Sequence, residues 1–128
     1  MQRKFSVSLL ILAGITGCSS STGLSEGGVA DVSGQVLQAS NTPLAGARVA
    51  IVCSDGQITL KVPTDANGRY LTPLTISEAQ MRATGGKVSC QFGAPDSINA
   101  RIRAQAVVAF YAPGLPHPLQ MVDLKESP

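Results

Sequence analysis

Three kinds of residue in this 128-residue chain could carry chemistry: its cysteines, its single histidine and the arginines of one alternating stretch. Cys53 follows Val49 and Ile51 at every second position, and Cys90 sits likewise between Val88 and Phe92. Side chains alternate across a strand, so both thiols point toward a core. Such a pair can be a disulfide, two reduced thiols or half of a metal site. There is no CxxC and no histidine near either cysteine, so zinc would lack its four ligands. His117 stands between Pro116 and Pro118. A general base needs a nucleophile and an orienting group. Neither can be identified, and His117 reads as an exposed loop residue. Asp65-Ala66-Asn67-Gly68 begins like a calcium loop, but Tyr70 and Ile76 fall where that loop needs Gly and Glu. No glycine-rich segment joins a strand to a helix as a phosphate loop does. Arg101, Arg103 and Gln105, with Asn99, share one face of an alternating run. They could bind a glycan, an acidic partner or lipid head groups, or form a solvated face that discourages edge aggregation. These residues give no catalytic constellation, no metal site and no cofactor, and the expectation is that the chain is not an enzyme.

The elements that must hold these residues are strands. From Val32 onward, short alternating runs are cut by turn residues, which is the mark of an all-β sandwich. The runs are 32–37, 47–53, 57–63, 69–74, 87–92, 98–111 and 119–124, seven in all. Asp55-Gly56 and Asn67-Gly68 are turns. The stretch 75–84 breaks the period; Ser77 could cap a short helix, with Glu78 in its first turn and Gly85-Gly86 ending it. Charged residues make up only 14% and apolar ones 44% of the chain. That balance argues against wholesale disorder. Setting aside Arg3 and Lys4 leaves a nearly neutral chain, which excludes a strongly basic nucleic-acid binder.

Arg3 and Lys4 precede an apolar run from Phe5 to Ile15, too short for a membrane-spanning helix of about 20 residues. A basic start with a short apolar core is a secretory signal. Ile15-Thr16-Gly17-Cys18 resembles the lipobox of bacterial lipoproteins: an aliphatic residue, two small residues and the cysteine that receives lipid. The resemblance implies removal of residues 1–17, lipidation of Cys18 and membrane attachment through its acyl chains, each buried CH2 contributing about 0.8 kcal/mol. Ser19 after the cysteine implies outer-membrane export if the host is Gram-negative. Residues 18–31 then read as a Gly/Ser-rich tether, and 32–125 as the domain. Export makes a disulfide the default for Cys53 and Cys90. It would close a loop of roughly 38 residues, worth about 3–4 kcal/mol.

Val32-Ser-Gly-Gln-Val36, Pro43-Leu-Ala-Gly-Ala-Arg-Val49 and Thr64-Asp-Ala-Asn-Gly-Arg-Tyr70 together resemble the carboxypeptidase regulatory-like domain. The resemblance implies a prealbumin-like sandwich of about seven strands. In it Gly46 and Gly68 sit where a Cβ is costly, Asp65 bonds to its own turn, and Tyr70 leads into the core. Such domains occur as non-catalytic accessories and as surface proteins. The expectation is therefore a non-enzymatic envelope lipoprotein in the periplasm or at the cell surface. Its partner would be another envelope protein or a cell-wall glycan, with no nucleic acid. A carbohydrate- or peptide-binding surface lipoprotein is the alternative.

Overall fold

Alternation with period two is realised as two facing sheets in the computed structural model, which describes residues 26–53 and 57–128. The leader, Cys18, the stretch up to residue 25 and the expected turn at Asp55-Gly56 lie outside the described residues. The strands are β1 (Glu26–Leu37), β2 (Arg48–Cys53), β3 (Ile58–Pro63), β4 (Arg69–Ser77), β5 (Lys87–Ala94), β6 (Ile102–Ala109), β7 (Leu119–Met121) and β8 (Leu124–Lys125). The first sheet is centred on β1. On one side β4 pairs with it antiparallel; on the other, β7 and then β8 pair with it parallel. The second sheet runs β3-β2-β5-β6, antiparallel throughout. Val32, Val36, Leu74 and Leu124 from the first sheet meet Ile51, Phe92, Ile102 and Val108 from the second in one buried core. The short helix α1 (Glu78–Thr84) forms where the period breaks. The Ser77 hydroxyl accepts from the Gln80 N–H, and left-handed Gly85 donates its N–H to the Met81 carbonyl.

The all-β class and the short helix are as expected, but boundaries move: β4 runs on to Ser77 and β5 to Ala94, and three changes are larger. β1 begins at Glu26, inside the stretch read as tether. Glycines there signalled a flexible chain; they serve close approach instead. A Cβ on Gly27 would lie 2.2 Å from the Glu78 Cα. The expected run 98–111 shrinks to β6. Asp96 takes a positive φ of 68°, the Asn99 N–H bonds the Ser97 hydroxyl, and the Ala100 N–H bonds the Ser97 carbonyl, which together make a turn. The last expected strand splits into β7 and β8. Between them the Val122 N–H goes to the Ser33 carbonyl, and Asp123 Oδ1 accepts the Gln35 N–H.

Cys53 and Cys90 are directly opposed partners in β2 and β5, face the core and are joined as a disulfide. The residues of the family-like motifs also converge. Gly46 and Gly68 both have positive φ, 66° and 71°. The Thr64 hydroxyl donates to the Leu44 carbonyl and accepts from the Ala47 N–H, tying down the loop before β2. Asp65 Oδ1 accepts from the Asn67 and Arg69 N–H groups, which lowers its pKa below the ordinary carboxylate value. Tyr70 is buried, and its hydroxyl donates to the Val122 carbonyl across the first sheet. Burial, with the nearby Asp123 charge, pushes its pKa well above the usual phenol value.

Candidate functional site

Among the described residues, a cavity of about 370 Å3 opens on the outer surface of the second sheet, lined by Gln91, Ile98, Asn99, Arg103 and Gln105. Its floor follows from strand register. Gln91 of β5 lies opposite Gln105 of β6, and Gly93 lies opposite Arg103. Alternation sends these positions away from the core, which Phe92 and Ile102 enter. Its wall is the turn after β5, which rests directly on Gly93. A Cβ at Gly93 would come within 2.0 Å of the Ser97 carbonyl oxygen and 2.4 Å of the Ile98 Cα. Asp96 holds the turn from the far side. Its carboxylate is 2.8 Å from the Arg48 guanidinium and 3.5 Å from the Lys61 ammonium, and its N–H bonds the Arg48 carbonyl.

The polar side chains in the cavity are unspent. The side chains of Gln91, Asn99, Arg103 and Gln105 make no hydrogen bond or ion pair among the described residues. A guanidinium offers a planar fork of donors suited to carboxylate or phosphate. Side-chain amides supply both donors and acceptors, as sugar hydroxyls and peptide groups require. This arrangement can bind a polar ligand bearing an anionic group.

The expected stripe of Arg101, Arg103 and Gln105 is thus divided. Arg103 and Gln105 line the cavity. Arg101 precedes β6 and pairs with Glu126 at 3.4 Å, with its Nε toward the carboxylate. Arg101 keeps the same outward parity, but its side chain is drawn to Glu126 rather than into the cavity. Gln91 was missed, because only pairing across strands brings it beside Gln105.

His117 also departs from expectation. Its ring is 18% exposed, with Nε2 3.0 Å from Asp31 Oδ2 and Nδ1 3.0 Å from the Leu115 carbonyl oxygen. It stacks on Tyr111, and Tyr111 is itself bridged to Val29 of β1. Both partners are acceptors, so the imidazolium, with two N–H groups, satisfies both at once, whereas a neutral ring satisfies one. The Leu115 carbonyl and then Asp31 raise the His117 pKa above its ordinary value. The proline-rich connection before β7 is thereby pinned to the outer surface of the first sheet. Nothing local in the sequence pairs position 117 with position 31.

Among the described residues, no group of three or more His, Cys, Asp or Glu could hold a metal ion, and no helix is long and apolar enough to cross a membrane.

Comparison with solved structures finds 3-chlorocatechol 1,2-dioxygenase from Rhodococcus opacus 1CP, 13% identical with a TM-score of 0.49, covering 83% of this chain and 62% of that one. It also finds chlorocatechol 1,2-dioxygenase from Pseudomonas putida, 11% identical with a TM-score of 0.45, covering 82% and 63%. The chain thus spans less than two thirds of either. Both are enzymes, so the expectation that this chain is no enzyme does not stand. At this similarity the likeness carries no argument for an activity either. No curated protein matches the sequence. Residues 31–89, from β1 into β5, match the model of the carboxypeptidase regulatory-like domain, the family that their motifs resemble.

Proposed function

We propose that this chain is an envelope lipoprotein anchored through Cys18, whose sandwich binds another envelope component in the cavity over β5 and β6. One observation carries the reading. An open cavity presents the guanidinium of Arg103 without a carboxylate partner among the described residues, flanked by the amides of Gln91, Asn99 and Gln105. The ligand class is a glycan or peptide carrying a carboxylate, such as cell-wall fragments supply. The lipobox-like Ile15-Thr16-Gly17-Cys18 supports the envelope location.

The test is a titration of the intact protein with soluble peptidoglycan fragments. Saturable binding is expected. A hydrogen bond to a charged group contributes about 1.5–3 kcal/mol. Arg103→Ala therefore weakens binding roughly 10- to 100-fold. Arg101→Ala, which removes only the contact to Glu126, leaves affinity unchanged. Absence of saturable binding, or equal losses in the two variants, sinks the proposal.

A further inference from the structure

The outer face of the first sheet carries an apolar patch, beside which Arg69, Asp123 and Lys125 also turn out to solvent. Register places Leu71 of β4, Ser33 of β1 and Met121 of β7 in one row, and Pro73, Asp31 and Leu119 in the next. Leu71, Leu119 and Met121 are 63%, 52% and 56% exposed, and Leu115 in the adjoining loop is 57% exposed. Three large hydrophobic residues side by side on a regular surface are not the scattered singles of an ordinary exterior. The charge at the centre of this patch is Asp31, and His117 holds it. Arg48, Lys61 and Arg103 lie on the other sheet, while Arg69, opposite Gln35, and Lys125, opposite Leu37, flank the patch.

We infer that this face, bearing Leu71, Leu119 and Met121, lies on the lipid bilayer to which the chain is anchored. The inference rests on the proposed lipidation of Cys18. Because β1 starts at Glu26, only residues 19–25 separate the anchor from folded backbone. Even fully extended, at about 3.5 Å per residue, they span roughly 25 Å. A domain of about 100 residues has a radius of gyration near 13 Å, so its diameter exceeds that reach. The sandwich therefore stays within about its own diameter of the lipid surface, close enough for one face to rest on it. The anchor attaches to β1, the centre of the first sheet, and that sheet exposes the leucines and methionine. Removing apolar side chains from water gives about 25 cal/mol per Å2. The polar face would gain nothing comparable. In this orientation the cavity over β5 and β6 points away from the bilayer, toward its ligand.

The experiment uses the full lipidated chain in vesicles of phosphatidylethanolamine and phosphatidylglycerol. With Cys18 acylated and Cys53 and Cys90 bridged, a cysteine introduced by Leu119→Cys or Val107→Cys takes a fluorophore alone. Val107 is 65% exposed on the second sheet. Lipids brominated along their acyl chains then act as a contact quencher. The expected result is quenching at position 119 several-fold stronger than at 107. The patch variant Leu71→Ser/Met121→Ser, which spares the core, should reduce the quenching at 119 while the protein still sediments with the vesicles. Co-sedimentation with equal quenching at the two positions overturns the inference and leaves the anchor standing. Cross-linking between 119 positions of two molecules, with no quenching there, assigns the face to a second copy and also overturns it. Failure to sediment removes the anchor, and the inference with it.

Discussion

The two outer faces of the sandwich arise from the same alternating pattern and end in opposite chemistry. The second sheet turns out Arg48, Lys61, Gln91, Arg103 and Gln105, with Asp96 folded across them. The first turns out Leu71, Pro73, Leu119 and Met121 around Asp31, which His117 contacts, with Arg69 at the margin. Both faces back onto the same core, so neither is needed to exclude water from it. Alternation decides which side chains leave the core and leaves open what they meet outside. A pattern of apolar residues facing outward is therefore as informative as a polar cavity, because folding alone does not demand either.

The largest expected effect tests whether the second sheet depends on its covalent brace. Cys53 and Cys90 cross-link β2 to β5 directly beneath the cavity face. Cys53→Ala/Cys90→Ala should cost about 3–4 kcal/mol through the longer-lived freedom of the unfolded chain. That corresponds to a fall in the thermal midpoint on the order of 15 °C. Calorimetry of wild type and variant, each with and without reductant, checks it. A wild-type midpoint that matches the variant's without reductant would mean that the bridge contributes nothing.

A smaller effect separates the faces from one another. Gly93→Val puts a branched side chain where the Ser97 and Ile98 backbone already sits. Overpacking of this kind costs about 1–3 kcal/mol, and the turn must lift off β5. Binding of peptidoglycan fragments should fall as far as in Arg103→Ala, while fluorophore quenching at position 119 on vesicles stays as in wild type. Unchanged affinity would show that the wall of the cavity is not part of the site. Loss of quenching as well would show that the faces are not independent.

What was legible in the sequence followed from local rules. Ser77, Glu78 and Gly85 announced the helix because capping is decided within a few residues. The turn at Asp65-Ala-Asn-Gly68 and the inward thiols of Cys53 and Cys90 were legible for the same reason. Arg103 and Gln105 were found because they alternate within β6. That Arg101 is drawn away to Glu126 was hidden, since the two are distant in sequence. Gln91 was hidden by register, and the start of β1 by glycines whose composition reads as linker. The apolar face was the least visible. Leu71 and Met121 are distant in sequence and become neighbours only through their shared partner Ser33.

The smallest effect concerns the one titrating contact on the apolar face. Protonated His117 can donate from both ring nitrogens, to Leu115 and to Asp31, and its pKa is raised by them. A group whose folded pKa exceeds its unfolded value stabilises the fold fully below the unfolded value, near 6.5. It loses that contribution as pH rises through the folded value. His117→Gln keeps a polar side chain but cannot titrate. The difference in thermal midpoint between wild type and His117→Gln should therefore be greatest below the unfolded value and shrink as pH rises above it, by a few degrees at most for a surface contact. The stacking of His117 on Tyr111 survives deprotonation, so a constant residue of the difference should remain at high pH. A difference that grew with pH would mean that the neutral ring is the bound form. One ring N–H would then still bond Asp31 or Leu115, but the carboxylate of Asp31 would stand without a countercharge in the middle of the apolar patch.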